Sequence, residues 1–131
     1  MKAYRSGSIA LILLGLLHLF SYLLLANKPS DAVLAALLND MNNYKIQFFG
    51  SHSLLKFHKG FSIMMGVLIS AFGVQNLIAS KGLTKSYLVP SMVITGIALI
   101  LSVSYFHLLP ISFLSFSLLC YCLSFKHLKQ G

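Results

Sequence analysis

Acidic residues are almost missing from this sequence, which has no Glu and only two Asp, Asp31 and Asp40. Catalysis by paired carboxylates needs two such groups at one site, so it is disfavoured. The chain also lacks a glycine-rich phosphate loop and the nucleophile elbow of serine hydrolases. No complete catalytic motif is therefore present.

Charged residues of both signs are scarce, at 9% of the 131 residues, whereas 57% are hydrophobic. Soluble domains contain about 25% charged residues. A soluble fold of this length cannot hide so many apolar side chains, because small domains leave much of their surface exposed. The composition therefore predicts that the chain lies in a lipid bilayer.

The net charge of +8 comes from ten Lys and Arg residues that sit singly or in pairs at the ends of apolar runs. That distribution is typical of anchoring to lipid headgroups. A nucleic-acid-binding protein would instead gather its cations on a polar face. We therefore expect the lipid bilayer, and no nucleic acid, as the partner.

The only two cysteines are Cys120 and Cys122, which lie inside one apolar run. Residues two apart on a helix do not face each other, so a disulfide between them is disfavoured. We interpret both as small hydrophobic residues.

Four apolar runs predict membrane-spanning helices in a single domain over residues 1–131, and they cover residues 6–26, 60–80, 87–106 and 110–125. A helix of about 20 residues crosses a hydrocarbon core of about 30 Å. The first run is longer than a signal-peptide core, lacks a cleavage site and is stopped by Pro29, so we predict a retained helix. Pro90 is expected in the first turn of the third helix. The fourth run is short, and its ends should use the interface.

An amphipathic helix is predicted over residues 31–44, between the first two spans. Ser30 is the expected N-cap, and Asp31 is favourable in the first turn. One face of this helix carries apolar residues at helical spacing, Val33, Leu34, Leu37, Leu38 and Met41. We expect it to lie at the membrane interface or to fold over the bundle as a lid, with residues 44–57 returning to the headgroups.

The basic residues predict the topology. Six of them fall at the two termini and in the second connection, which share one side if four spans alternate: Lys2, Arg5, Lys81, Lys85, Lys126 and Lys129. Four others are spread over the long first connection: Lys28, Lys45, Lys56 and Lys59. The positive-inside rule then places both termini in the cytoplasm. The expected fold is an all-α, integral membrane four-helix bundle with an interfacial amphipathic helix.

Small residues recur at helical spacing within three of the spans and predict helix contacts. They are Ser62, Gly66, Ser70 and Gly73 in the second, Ser91, Thr95, Ala98 and Ser102 in the third, and Ser112, Ser115 and Cys122 in the fourth. Gln75 and Asn76, near the cytoplasmic end of the second span, should cap a helix or bond between helices. A ligand groove is the alternative interpretation of these faces.

Four histidines fall on the outer side of the predicted topology, and they are His18, His52, His58 and His107. Imidazole within a membrane tends to mark function, and it is the commonest metal ligand. Together with Tyr22, Tyr105, Ser62 and a nearby Asp, these residues form a candidate site for haem, a transition metal or a quinone headgroup. His18 and His58 are the candidate metal ligands, because they meet if the first two spans are adjacent and antiparallel.

The histidine spacing also has a simpler interpretation. No two histidines are four residues apart, so no helix face presents two ligands. Ser62 follows His58 by four residues and Ser21 follows His18 by three, which are offsets for hydrogen bonds within a helix. The histidines would then tie helices together or lie among headgroups.

Three short patterns carry a family resemblance: residues 15–19 (GLLHL), residues 57–66 (FHKGFSIMMG), and Tyr105-Phe106 before Pro110. With the long first connection, they resemble small four-pass bacterial membrane proteins that are loosely similar to the DoxX-like proteins. The resemblance implies a four-helix bundle in a bacterial inner membrane, with an association with redox membrane complexes, and it implies no activity.

Three functional hypotheses remain open. The first is a non-enzymatic accessory subunit or lipid- or small-ligand-binding protein, acting in a homo-oligomer or a larger membrane complex. The second is a redox-associated protein that binds haem, metal or quinone through the outer-side histidines. The third is a small lipid- or quinone-modifying enzyme with His and Tyr as acid and base. Ion transport by the chain alone is disfavoured because no predicted span contains a charged residue.

Overall fold

The computed structural model describes residues 2–25, 31–47 and 50–130, with the side chains of 25, 129 and 130 left out. This part of the chain is almost entirely helical. In chain order its elements are α1 (Lys2–Leu25), α2 (Ala32–Asn43), β1 (Lys45–Gln47), β2 (Ser51–Ser53), α3 (Leu54–Ala79), a 3₁₀ turn (Ser80–Gly82), α4 (Lys85–Tyr105) and α5 (Leu108–Gln130).

Four helices, α1, α3, α4 and α5, are long and apolar enough to cross a membrane. The shortest of their apolar segments has 21 residues. At 1.5 Å per residue such a segment is about 31 Å long, which matches a hydrocarbon core. The four predicted apolar helices are confirmed in number and order.

All four of these helices are longer than predicted, and α3 and α5 depart most from the predicted bounds. The second span begins at Leu54 rather than residue 60, because the Ser53 hydroxyl accepts the backbone N–H of Lys56 and caps the first turn (3.2 Å). The fourth covers Leu108–Gln130 rather than 110–125. Pro110 is its third residue, where a missing N–H costs no helical hydrogen bond.

The amphipathic helix is present as α2, with Asp31 as its N-cap. The Asp31 carboxylate accepts the N–H of Leu34 at 2.6 Å. Asp31 therefore precedes the first turn instead of lying in it, and the predicted cap Ser30 lies outside the described residues, as do Ala26, Lys28 and Pro29. No residue of α2 is fully buried, and Val33 is 80% exposed.

A short antiparallel ribbon follows α2 where the sequence suggested only a return to the headgroups. Lys45 pairs with Ser53 and Gln47 with Ser51. The turn between the strands includes Gly50 at φ 125°, a backbone region that glycine enters without steric cost. The ribbon leads directly into α3, since the N–H of Leu54 bonds the carbonyl of Tyr44 (2.9 Å).

The chain divides into two compact units. The first comprises Met1–Gly15 and Leu68–Gly131, and the second comprises Leu16–Val67. The first unit thus holds the start of α1, the end of α3, and all of α4 and α5. The second holds the end of α1, α2, the ribbon and the start of α3. That the chain is a single domain remains a prediction.

The core of the first unit combines leucines from three helices with two tyrosines. Its buried members include Leu11 and Leu14 of α1, Leu88 of α4 and Leu114 of α5. Burial of each such side chain away from water would be worth about 1.5–3 kcal/mol. In a membrane this drive is absent, so close packing and polar contacts must hold the helices together.

Two glycines allow backbones to approach closely in the first unit. A Cβ added at Gly73 of α3 would lie 2.7 Å from Ile12 Cγ1, 2.8 Å from Ile12 N and 2.9 Å from the Ser8 carbonyl oxygen. A Cβ at Gly7 of α1 would lie 3.0 Å from the Ser117 carbonyl oxygen of α5. The prediction that Gly73 faces a neighbouring helix is confirmed.

The small-residue face predicted for α4 is confirmed, because Ser91, Thr95 and Ser102 are all buried. The face predicted for the fourth span is wrong. Ser112 and Cys122 are exposed and Ser115 is half-buried. The buried residues of α5 each lie instead three or four residues from another, at Leu114, Ser117, Cys120, Tyr121 and Ser124.

Candidate functional site

A buried cluster of polar side chains joins the four long helices within the first unit. Its members are Tyr4 and Ser8 of α1, Asn76 of α3, Ser91 of α4 and Tyr121 of α5, all between 0 and 5% exposed. We call these five residues the polar cluster. Its members lie in the first halves of α1 and α4 and in the second halves of α3 and α5.

Asn76 lies at the centre of the polar cluster. Its side-chain oxygen lies 3.1 Å from the Tyr4 hydroxyl and 2.9 Å from the Ser91 hydroxyl, and both can donate to it. Its amide nitrogen donates to the Tyr121 hydroxyl at 3.2 Å. One amide thus bonds side chains from three other helices.

A single direction of hydrogen bonding satisfies the cluster. The Tyr4 and Ser91 hydroxyls both donate to the Asn76 side-chain oxygen. The Asn76 amide donates to Tyr121, whose hydroxyl lies 3.4 Å from Ser8. Ser8 donates to the Tyr4 carbonyl at 2.8 Å. Because a buried polar group without a partner is costly, this closed pattern fits a structural tie better than an acid–base pair.

Packing and neighbouring bonds reinforce the cluster. The rings of Tyr4 and Tyr121 lie 4.8 Å apart and are tilted by 38°, an arrangement favourable for aromatic pairs. The Arg5 Nε donates to the Ser80 hydroxyl at 3.1 Å. The Ser117 hydroxyl lies 3.0 Å from the Gly7 carbonyl, so it can bond α1 from α5.

A groove of about 360 Å³ opens between the end of α3 and the start of α4, beside the polar cluster. We call it the α3–α4 groove. Its walls include apolar residues, among them Phe72 and Ile94, and polar residues that comprise Gln75, Asn76, Ser86 and Ser91. A volume in this range is typical of small-molecule sites. The groove is therefore amphipathic, and its polar lining includes two members of the buried cluster.

Pro90 lies inside α4, beside the α3–α4 groove. It is the sixth residue of α4, not in the first turn as predicted, because the helix begins at Lys85. Proline has no N–H, so the Ser86 carbonyl lacks its helical donor. Both residues line the groove.

A second groove, of about 420 Å³, lies between α1 and α5 in the first unit. Its lining includes Ile9, Leu13 and Phe116 together with the serines Ser6 and Ser112. Both serine hydroxyls bond carbonyls of their own helices. This groove is therefore apolar in character and has no polar group directed at a ligand.

In the second unit, His18 of α1 bonds Ser62 of α3. The His18 Nε2 lies 3.1 Å from the Ser62 carbonyl oxygen and 3.0 Å from its hydroxyl. The bond to the carbonyl requires a proton on Nε2, since a carbonyl only accepts. The predicted bond from Ser62 to His58 within one helix is therefore replaced by a bond between helices, with Ser62 one turn beyond His58.

The other predicted site residues are more exposed than a buried cofactor site requires. His52 lies on β2 and His58 on α3, and both are exposed, whereas Tyr22 is half-buried on α1. Tyr105 ends α4 and His107 follows it, and both are exposed. Within residues 2–25, 31–47 and 50–130, no three His, Cys, Asp or Glu residues lie together as a metal site would need. The positions of these residues favour the bond of His18 to Ser62 as the role of this histidine, rather than ligation of haem or metal.

The sequence pointed to only part of the polar cluster. Asn76 was expected to bond between helices and Ser91 to lie on a buried face, and both predictions are confirmed. Tyr4 and Tyr121 gave no signal of their own. The usable indication is general: a tyrosine hydroxyl inside an apolar run, close to a predicted helix interface, indicates a hydrogen-bond partner on a neighbouring helix.

The comparisons with known proteins give no relative. No protein-family profile, curated protein or solved structure matches the chain.

Proposed function

We propose that this chain is a non-enzymatic integral membrane protein that binds a lipid or a small amphipathic ligand in the α3–α4 groove, as an accessory subunit of a homo-oligomer or a larger complex. The amphipathic groove is the observation that carries the proposal. Its apolar wall, at Phe72 and Ile94, suits an acyl or ring system. Its polar wall, at Gln75 and Ser86, suits a headgroup.

The proposed architecture is a four-helix bundle with alternating helix directions. The polar cluster supports it, because its residues lie toward alternate ends of successive long helices. Those same ends carry Lys2, Arg5, Lys81, Lys85 and Lys126. We therefore place both termini and the connection after α3 in the cytoplasm of a bacterial inner membrane.

In the same proposal, α2 lies on the outer membrane surface. Its Leu34, Leu38 and Met41 are half-buried, while Val33 and Leu37 are exposed. An apolar face left open in this way suits the boundary between headgroups and acyl chains. We also retain, as a proposal, the resemblance of the chain to DoxX-like proteins.

Native mass spectrometry of the detergent-purified chain tests ligand binding. Ile94→Trp places a bulky ring in the groove, and Ile97→Trp places the same ring elsewhere on α4, outside the groove lining. The two isoleucines are similarly exposed, at 49% and 54%.

We expect Ile94→Trp to lower the fraction of chains that retain a lipid or small molecule, while Ile97→Trp leaves it unchanged. Equal retention by both variants would refute binding in the groove. Circular dichroism of each variant checks that its helix content is intact.

A further inference from the structure

We propose that the ligand of the α3–α4 groove is an anionic phospholipid, held by its headgroup phosphate near Lys81 and Lys85 and by an acyl chain along Phe72 and Ile94. This inference rests on the proposed function and names its ligand class. It follows from three observations on the first unit: its charge, the position of the lysines and the length of the groove.

The first unit carries basic side chains without any acidic partner. The sequence has only two side-chain carboxylates, Asp31 and Asp40, and both lie in the second unit. Arg5 bonds a neutral hydroxyl, that of Ser80. No side-chain carboxylate of this unit can therefore pair with its cations, and in a membrane the nearest anions are lipid phosphates.

The two lysines flank the groove along the chain. Ala79 and Ser86 both line it, while Lys81 follows the end of α3 and Lys85 begins α4. Both lysines are exposed. Each exposed lysine at a membrane surface attracts anionic lipid, and long lysine side chains reach the headgroup level.

The groove has the length and composition for part of an acyl chain. From Ser86 to Ile94 the α4 wall rises about 12 Å, and a membrane leaflet has an apolar depth of about 15 Å. Gln75 and Ser86 supply an exposed amide and hydroxyl at the polar part of the wall. A free phosphate would use the lysines but none of the apolar wall, so the amphipathic lining favours a lipid.

A titration of the full-length, delipidated chain in neutral detergent tests this inference. Dioleoyl phosphatidylglycerol and dioleoyl phosphatidylcholine share the same acyl chains and differ in net charge, and native mass spectrometry counts the bound lipids. We expect phosphatidylglycerol to bind roughly tenfold or more tightly, the effect of two lysines at the headgroup. The double variant Lys81→Gln/Lys85→Gln should abolish that preference.

Lys126→Gln is the matched control, because Lys126 is an exposed lysine near the end of α5 and no α5 residue lines the groove. It should leave the preference for phosphatidylglycerol intact. An equal loss in this control would overturn the assignment to the groove lysines. Displacement of the lipid by millimolar inorganic phosphate would overturn the requirement for an acyl chain.

The outcomes separate the inference from the proposed function. If both lipids bind equally and Ile94→Trp weakens both, the groove binds lipid and the anionic preference is wrong. If Ile94→Trp and Ile97→Trp bind lipid equally, the proposed function itself fails. Preference for phosphatidylglycerol that depends on Ile94, Lys81 and Lys85, and not on Lys126, supports both.

Discussion

Replacing Gly73 by alanine should destabilise the first unit, because its Cβ would meet the backbone of α1. The new methyl would lie 2.7–2.9 Å from Ile12 and from the Ser8 carbonyl. Ordinary contact requires about 3.5 Å or more, so α1 and α3 must separate by roughly 0.5–1 Å. Two backbone atoms are among these contacts, so a rotamer change cannot relieve the clash.

The expected magnitude combines two opposing effects. Overpacking in a close-packed region costs about 1–3 kcal/mol. Alanine regains about 0.5–1 kcal/mol over glycine in a helix interior. The net loss for Gly73→Ala should be about 0–2.5 kcal/mol. Separation of the helices would also lengthen the bond from the Tyr4 hydroxyl to Asn76, which joins the same two helices.

Gly96→Ala is the matched control, since it lies inside α4 and an added Cβ there would meet nothing within 4 Å. It should be neutral or stabilising by up to about 1 kcal/mol. Reversible unfolding of both variants in mixed dodecyl sulfate micelles, followed by circular dichroism, gives the comparison. If Gly73→Ala is as stable as Gly96→Ala, the close approach of α1 and α3 at Gly73 is wrong.

The same unfolding assay tests three further residues. Asn76→Leu removes three bonds between helices and should cost about 2 kcal/mol. Gln75→Leu, at an exposed neighbour, should change stability little. Equal losses in the two variants would refute the central role of Asn76. Thr95→Val should be neutral or slightly stabilising, because the buried Thr95 hydroxyl has no hydrogen-bond partner among the described residues. A clear loss of stability would mean that this hydroxyl does form a hydrogen bond. His18→Ala should cost about 1 kcal/mol and His58→Ala almost nothing, and the reverse order would contradict the bond of His18 to Ser62.

Periodicity and length predicted the helices, and local capping decided their ends. The apolar runs gave the four long helices because a bilayer-length helix needs little beyond about 20 apolar residues. The start of α3 was misplaced, since Lys56 and His58 read as polar connection while the Ser53 cap was not recognised. The ribbon between β1 and β2 was missed because three-residue strands carry no readable alternation.

The site depends on contacts between residues far apart in the chain, and local sequence patterns do not reveal such contacts. Small-residue spacing identified the contact faces of α3 and α4, because close approach requires small side chains. It failed on α5, where Tyr121, a large residue, lies on the buried face and Ser112 does not. Asn76 could be anticipated as a polar residue in an apolar run, but its partners Tyr4 and Tyr121 are 72 and 45 residues away in sequence.

The most direct test of the proposed membrane architecture is the sidedness of single cysteines. On a background with Cys120 and Cys122 replaced by alanine, Lys85→Cys and His107→Cys report the two ends of α4. A membrane-impermeant maleimide should label Lys85→Cys only in inside-out vesicles and His107→Cys only in intact spheroplasts. Labelling of both positions from the same side would contradict a membrane-spanning α4 and the topology built on it.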